Sequence, residues 1–130
     1  MGKGRRILLV EDHADTARVF ARFLTSEGFV VSVAGTLAAA WRLGQEQRFD
    51  LLIADLQLPD GTGWSLLEEP SPLCRTKAIA MTGYGREEDV KHSHRVGFIE
   101  HLVKPIDIMK LRAVIDRAIG LTPPTPDAPE

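Results

Sequence analysis

Five side chains in this sequence could together handle a phosphoryl group: Glu11, Asp12, Asp55, Thr82 and Lys104. Each stands at the end of a short apolar run. Glu11 and Asp12 follow the run at 7–10, Asp55 follows 51–54, Thr82 follows 78–81, and Lys104 follows 98–103. Three carboxylates brought close together repel one another, and a cation relieves the repulsion. Hard oxygen donors with few protein ligands suit Mg²⁺, which keeps several of its waters, with Mn²⁺ as an alternative. A carboxylate beside such a cation and an ammonium can attack phosphorus as a nucleophile. The Lys104 ammonium, the Thr82 hydroxyl and nearby backbone N–H groups would then balance charge on the oxygens of the transferring group.

For these residues to meet, the apolar runs must lie side by side as strands. The runs are 7–10, 29–34, 51–54, 78–81 and a weaker 98–103, and the third and fourth are nearly continuous, as strands covered on both faces are. Helical patterns lie between them. Ala17, Phe20, Ala21 and Leu24 follow the i, i+3, i+4, i+7 spacing, and Gly28 ends that helix. Thr36 can cap a second helix, with Leu37, Ala40, Trp41 and Gly44 on one side. A third, at 63–69, is cut short by Pro70 and Pro72, which leaves Cys74 in a loop. A fourth, 87–94, is poorly amphipathic. Asp107 can cap a fifth, with Ile108, Leu111, Ile115 and Ala118 inward and Gly120 closing it. Five strands alternating with five helices predict an α/β fold with a doubly wound parallel sheet. The flavodoxin-like strand order suits the size and places the ligand site at the carboxyl ends of the strands.

Composition narrows the function classes. The chain has 130 residues, 44% hydrophobic and 26% charged, which fits one globular domain. A net charge of −2, with no long run of like charge and only a short basic start at Lys3, Arg5 and Arg6, argues against nucleic-acid binding. No stretch approaches the ~20 apolar residues that span a bilayer, and the run at 7–10 stops too soon for a signal peptide. The lone Cys74 closes no intrachain disulfide, so a cytoplasmic location is expected. Residues 1–120 read as the domain; 121–130, with Pro123, Pro124, Pro126 and Pro129, read as a disordered tail or linker.

The segments ILLVEDH, LLIADLQLPDGTG, AIAMTGYG and HLVKP resemble the signature segments of response-regulator receiver domains, across roughly residues 5–120. No one segment is specific; the four in this order at strand ends are. The resemblance implies a module of two-component or phosphorelay signalling, phosphorylated on Asp55 by a phosphohistidine partner (a sensor histidine kinase or a histidine phosphotransfer protein). It further implies that Asp12 ligates Mg²⁺ directly, Glu11 largely through water, and Gln57 through its backbone carbonyl. Thr82 and Lys104 would contact the phosphoryl group, and the Lys104–Pro105 bond would be cis. The switch position, usually Tyr or Phe, is here His101, which adds a charge that titrates near neutral pH.

Tyr84 and Gln57 are expected to limit water access to the phosphoaspartate. Trp64 reads as packing, and His92 and His94, two apart on a helix, as solvated rather than as a metal pair. Asp60-Gly61-Thr62 resembles the Asp-Gly-Thr of haloacid-dehalogenase-type phosphatases, but the nucleophile two residues earlier is missing, since Leu58 stands there. Output is expected through protein contacts of the fourth helix, fifth strand and last helix, from a monomer or weak homodimer. The wording GFIEHLVKPID favours the receiver of a hybrid histidine kinase over a stand-alone regulator. Two other functions compete: a Mg²⁺-dependent phosphatase with an aspartyl-phosphate intermediate, and a pseudo-receiver that binds partners without phosphorylation.

Overall fold

The computed structural model describes residues 4–83 and 85–120. The readings of Tyr84 and of 121–130 lie outside the described residues.

Alternation along the strands divides the core in two. In β1 (Arg6–Val10), β3 (Leu51–Asp55) and β4 (Ala78–Thr82), Ile7, Leu9, Leu51, Ile53, Ile79 and Met81 face one layer of helices. Leu8, Val10, Leu52, Ala54, Ala78 and Ala80 face the other. Both faces are covered, so every residue of β3 and β4 is buried, which explains their unbroken apolar runs. The first layer is α1 (Ala14–Ser26), through Ala17, Phe20 and Leu24, and α4 (Ile108–Ile119), through Leu111, Val114, Ile115 and Ala118. Each of the larger side chains contributes about 1.5–3 kcal/mol by leaving water. The second face is covered by α2 (Leu37–Glu46) and by Leu66, Leu67, Leu73 and Phe98. α3 (Glu87–Val96) is held more lightly, with Ser93 its one buried residue.

The sheet order is β2 (Val30–Ala34), β1, β3, β4, β5 (Glu100–Val103), all parallel, which is the flavodoxin-like order. Its switch point lies between β1 and β3, so Glu11, Asp12 and Asp55 stand at the crevice where such sheets bind ligands. The expected fifth α-helix is absent among the described residues. The third slot holds a 3₁₀ turn, Gly63–Leu67, because Pro70 and Pro72 deny a longer helix its donors. Cys74 lies half-buried in the loop that follows. Thr36 and Asp107 cap α2 and α4 as read, accepting from the backbone N–H groups of Ala39 and Met109. Among the described residues no helix is long and apolar enough to cross a membrane.

A second contact at the start of α2 matters for the site. The Asp60 carboxylate accepts from Leu37 N at 2.8 Å and Ala38 N at 3.1 Å, fastening the loop after β3 to the helix. The Leu37 N–H above all, helped by the Ala38 N–H, outweighs the opposing effect of burial and holds the Asp60 carboxyl below its ordinary 3.8. A depressed folded pKa stabilises above the unfolded value and loses that contribution as pH falls through the folded one. Asp60→Ala should therefore lower the urea midpoint at pH 7, with the gap to wild type closing below about pH 3.8. A gap of constant size down to pH 2.5 would show that the carboxylate charge is irrelevant.

Candidate functional site

Asp55 is the last residue of β3 and is buried. Its Oδ1 accepts from Gln57 N at 2.9 Å, and its Oδ2 from Lys104 Nζ at 2.5 Å. Lys104 comes from the neighbouring edge of the sheet, where its backbone N–H donates to Thr82 O at 2.7 Å. The Lys104–Pro105 bond is cis, as expected; so is Glu69–Pro70. Thr82 is buried at the end of β4, paired with Val103 of β5.

Glu11 follows β1 and is anchored by its own N–H to Ala34 O. Its Oε2 accepts from His13 N and faces His13 Nδ1, both at 3.1 Å. Its Oε1 lies 3.1 Å from Lys104 Nζ, an ion pair without the alignment of a hydrogen bond. Asp12 is exposed, its carboxylate 3.4 Å from His13 Nδ1. Ligand atoms of Glu11, Asp12, His13 and Asp55 all lie within 4.8 Å of one another. The strand ends thus bring together the three carboxylates, Thr82 and Lys104.

The electrostatics follow from this crowding. Burial pushes the Glu11 carboxyl up, but hydrogen bonds from the His13 backbone and ring, together with the nearby Lys104 ammonium, outweigh it and hold the carboxyl below its ordinary 4.5. Burial likewise works against the Lys104 ammonium, yet its contacts with Asp55 and Glu11 lift its pKa above 10.5. Three carboxylates against one ammonium leave an excess of negative charge. The buried Glu11 Oε1, with no hydrogen bond to complete it, is the kind of atom a hydrated hard cation would satisfy. The donor set therefore fits Mg²⁺.

Residues 7–116 match the family described as response regulator receiver domain. The chain belongs to that family. This receiver domain is 33% identical over 121 residues to an uncharacterized 14.6 kDa protein of Leptolyngbya boryana, covering 91% of this chain and 92% of that one. It is 29% identical to the regulatory protein AtoC of Escherichia coli over 89% of its own length but only 25% of AtoC's. Among solved structures it resembles the receiver domain of the sensor histidine kinase PA1611 of Pseudomonas aeruginosa, which has a magnesium ion coordinated in its active-site cleft. That likeness has a TM-score of 0.78 at 30% identity and covers 90% of this chain and 98% of that one.

Three residues of the receiver domain carry contacts that the sequence reading did not assign. His13 joins the acidic cluster; its only signal was its place beside the acid pair. His92 is half-buried, its ring 4.1 Å from that of Trp64. His94 is exposed but its Nδ1 lies 3.0 Å from Phe98 O, so neither histidine is merely solvated. Trp64 packs as expected and donates to Ser93 Oγ at 2.8 Å.

His101 lies on β5, half-buried, with a buried Nε2 that has no hydrogen bond. Burial first, then the charge of His94, hold its pKa below 6.5, against a smaller opposing pull from Asp89. The unfolded chain therefore takes up the proton before the folded one as pH falls from about 6.5. Stability from this site is intact above that pH and drains away below it. His101→Phe should flatten the urea midpoint between pH 7 and 5; an unchanged pH profile would mean that the imidazole titrates freely in the folded state.

Proposed function

We propose that this receiver domain accepts a phosphoryl group on Asp55 in a Mg²⁺-dependent reaction. The observation that carries the reading is the Asp55 carboxylate, held by Gln57 N and by a lysine that also faces Glu11. Asp12, Asp55 and the Gln57 carbonyl would hold the metal, with Glu11 acting largely through water. Mg²⁺ would supply charge neutralisation on the phosphoryl oxygens. An Asp55 oxygen attacks phosphorus as the N–P bond of a phosphohistidine breaks. The imidazole leaves neutral when its other ring nitrogen carries a proton. Lys104 shifts its contact from the carboxylate to a phosphoryl oxygen, and the Thr82 hydroxyl donates to another.

A groove of about 640 Å³ opens beside Lys104, lined by Val19 and Phe20 of α1 and by Pro105 and Ile106. Its apolar walls and its place next to Asp55 suit the helix of a sensor histidine kinase or histidine phosphotransfer protein. The domain spans 1–120 in this reading, works in the cytoplasm, and passes its signal to a protein target through α3, β5 and α4, with His101 at the switch position. Its origin in a hybrid histidine kinase belongs to the same proposal.

The test is intact mass after incubation with acetyl phosphate or phosphoramidate, with and without Mg²⁺, beside Asp55→Asn. One Mg²⁺-dependent phosphoryl adduct, absent from the variant, is expected. An adduct that persists in Asp55→Asn would name the wrong acceptor. No adduct from either donor would favour a pseudo-receiver, and steady turnover of a phosphomonoester would favour a phosphatase.

A further inference from the structure

The opposite end of the sheet carries a second concavity that the phosphoacceptor chemistry does not use. It is a polar pocket of about 500 Å³ whose lining includes Arg5, Arg48, Asp50, Arg75 and Lys77. The lining thus includes four cationic residues and one acidic one, in a chain whose net charge is −2. Some of that charge is already engaged. Arg5 Nη1 donates to Ile119 O at 3.2 Å, as cations at helix C-termini do. Asp50 Oδ2 accepts from Arg6 N at 2.7 Å. Arg48, Arg75 and Lys77 differ: among the described residues their side chains have no ion pair and no hydrogen bond.

These three residues come from two separate segments, one just after α2 and one just before β4, and both segments line the pocket. A single acidic side chain would answer one of them. A compact ligand with two linked phosphoryl groups would answer all three, with guanidinium groups pairing two oxygens at a time. The volume falls within the range of about 300–1,000 Å³ usual for small-molecule sites. We infer that this pocket binds a diphosphate, either as inorganic pyrophosphate or as the diphosphate of a nucleotide. The inference is independent of the role proposed for Asp55.

The experiment is a titration of the full chain with pyrophosphate in EDTA, followed by backbone amide NMR, with ADP and adenosine titrated in parallel. EDTA keeps the acidic cluster from recruiting the ligand through a metal. Saturable shifts at residues 47–50 and 74–77, with none at 11–13 or 55, are expected. The double variant Arg75→Gln/Lys77→Gln should bind at least tenfold more weakly while its urea midpoint and acetyl phosphate labelling match wild type. ADP binding more tightly than pyrophosphate would support the nucleotide source; equal binding, with none for adenosine, would support the diphosphate itself. Shifts that never saturate, shifts confined to the Asp55 end, or equal affinity in the double variant would each overturn the proposal.

Discussion

Lys104→Met should lower stability by about 1–3 kcal/mol in the absence of divalent cations and slow phosphorylation by acetyl phosphate about 10²-fold. The side chain of Glu11 is fully buried and that of Asp55 is 4% exposed, so both depend on the one ammonium that faces them. Removing one partner of a buried pair usually costs about 3–5 kcal/mol because the other charge is stranded. Here the penalty is smaller, since the Lys104 side chain is 27% exposed and water reaches its end of the contact. The loss should be largest near pH 8 and should shrink in acid, where protonated carboxylates need no cation. Added Mg²⁺ should restore part of the stability without restoring the rate, because the metal answers the carboxylates but cannot take the place proposed for Lys104 on the phosphoryl oxygen. Urea melts in EDTA and in Mg²⁺, at two pH values, read all of this. An unchanged midpoint in EDTA would mean that the acids are satisfied without the lysine.

Gly63→Ala should cost about 2–3 kcal/mol and should disturb the Asp55 carboxylate as well. A Cβ at residue 63 would stand 2.4 Å from the carbonyl oxygen of Asp55 and 3.3 Å from the Cα of Leu56. These are backbone atoms, so no rotamer change relieves the clash. Either the 3₁₀ turn withdraws, breaking the bond from Gly63 N to Leu56 O, or the end of β3 moves and carries the carboxylate with it. Gly83→Ala is the control, because a Cβ there meets nothing within 4 Å and should change stability by less than about 0.5 kcal/mol. If both variants melt together, the close approach at Gly63 is not what shapes this loop.

Much of this architecture is legible from the amino-acid order because local rules and tertiary demands agree. β3 and β4 are buried on both faces, so their apolar runs are unbroken, and polar residues at their ends can only lie along one edge. Thr36 and Asp107 act within three residues of themselves, where cap chemistry is readable. What escapes the reading depends on distance along the chain. Asp60 finds its partners 23 and 22 residues away, so it suggests a false phosphatase motif instead of a latch. His13 gains its contacts from the curl of chain between β1 and α1, which no spacing announces. α3 is anchored by Ser93 and a tryptophan from another element, and a helix with one small buried residue leaves little periodicity to find.

That tryptophan gives the molecule an optical readout. The chain has two indoles, Trp41 on α2 and Trp64 in the turn directly after Gly63. Trp64 is bonded to α3 and lies against the imidazole of His92, a neighbour whose distance affects indole emission. A shift of a few tenths of an ångström at the end of β3 would alter the spacing of that pair, and the Trp64→Phe variant separates its emission from that of Trp41. Emission that changes on phosphorylation, and no longer does so in Trp64→Phe, would time the rearrangement in an unlabelled protein.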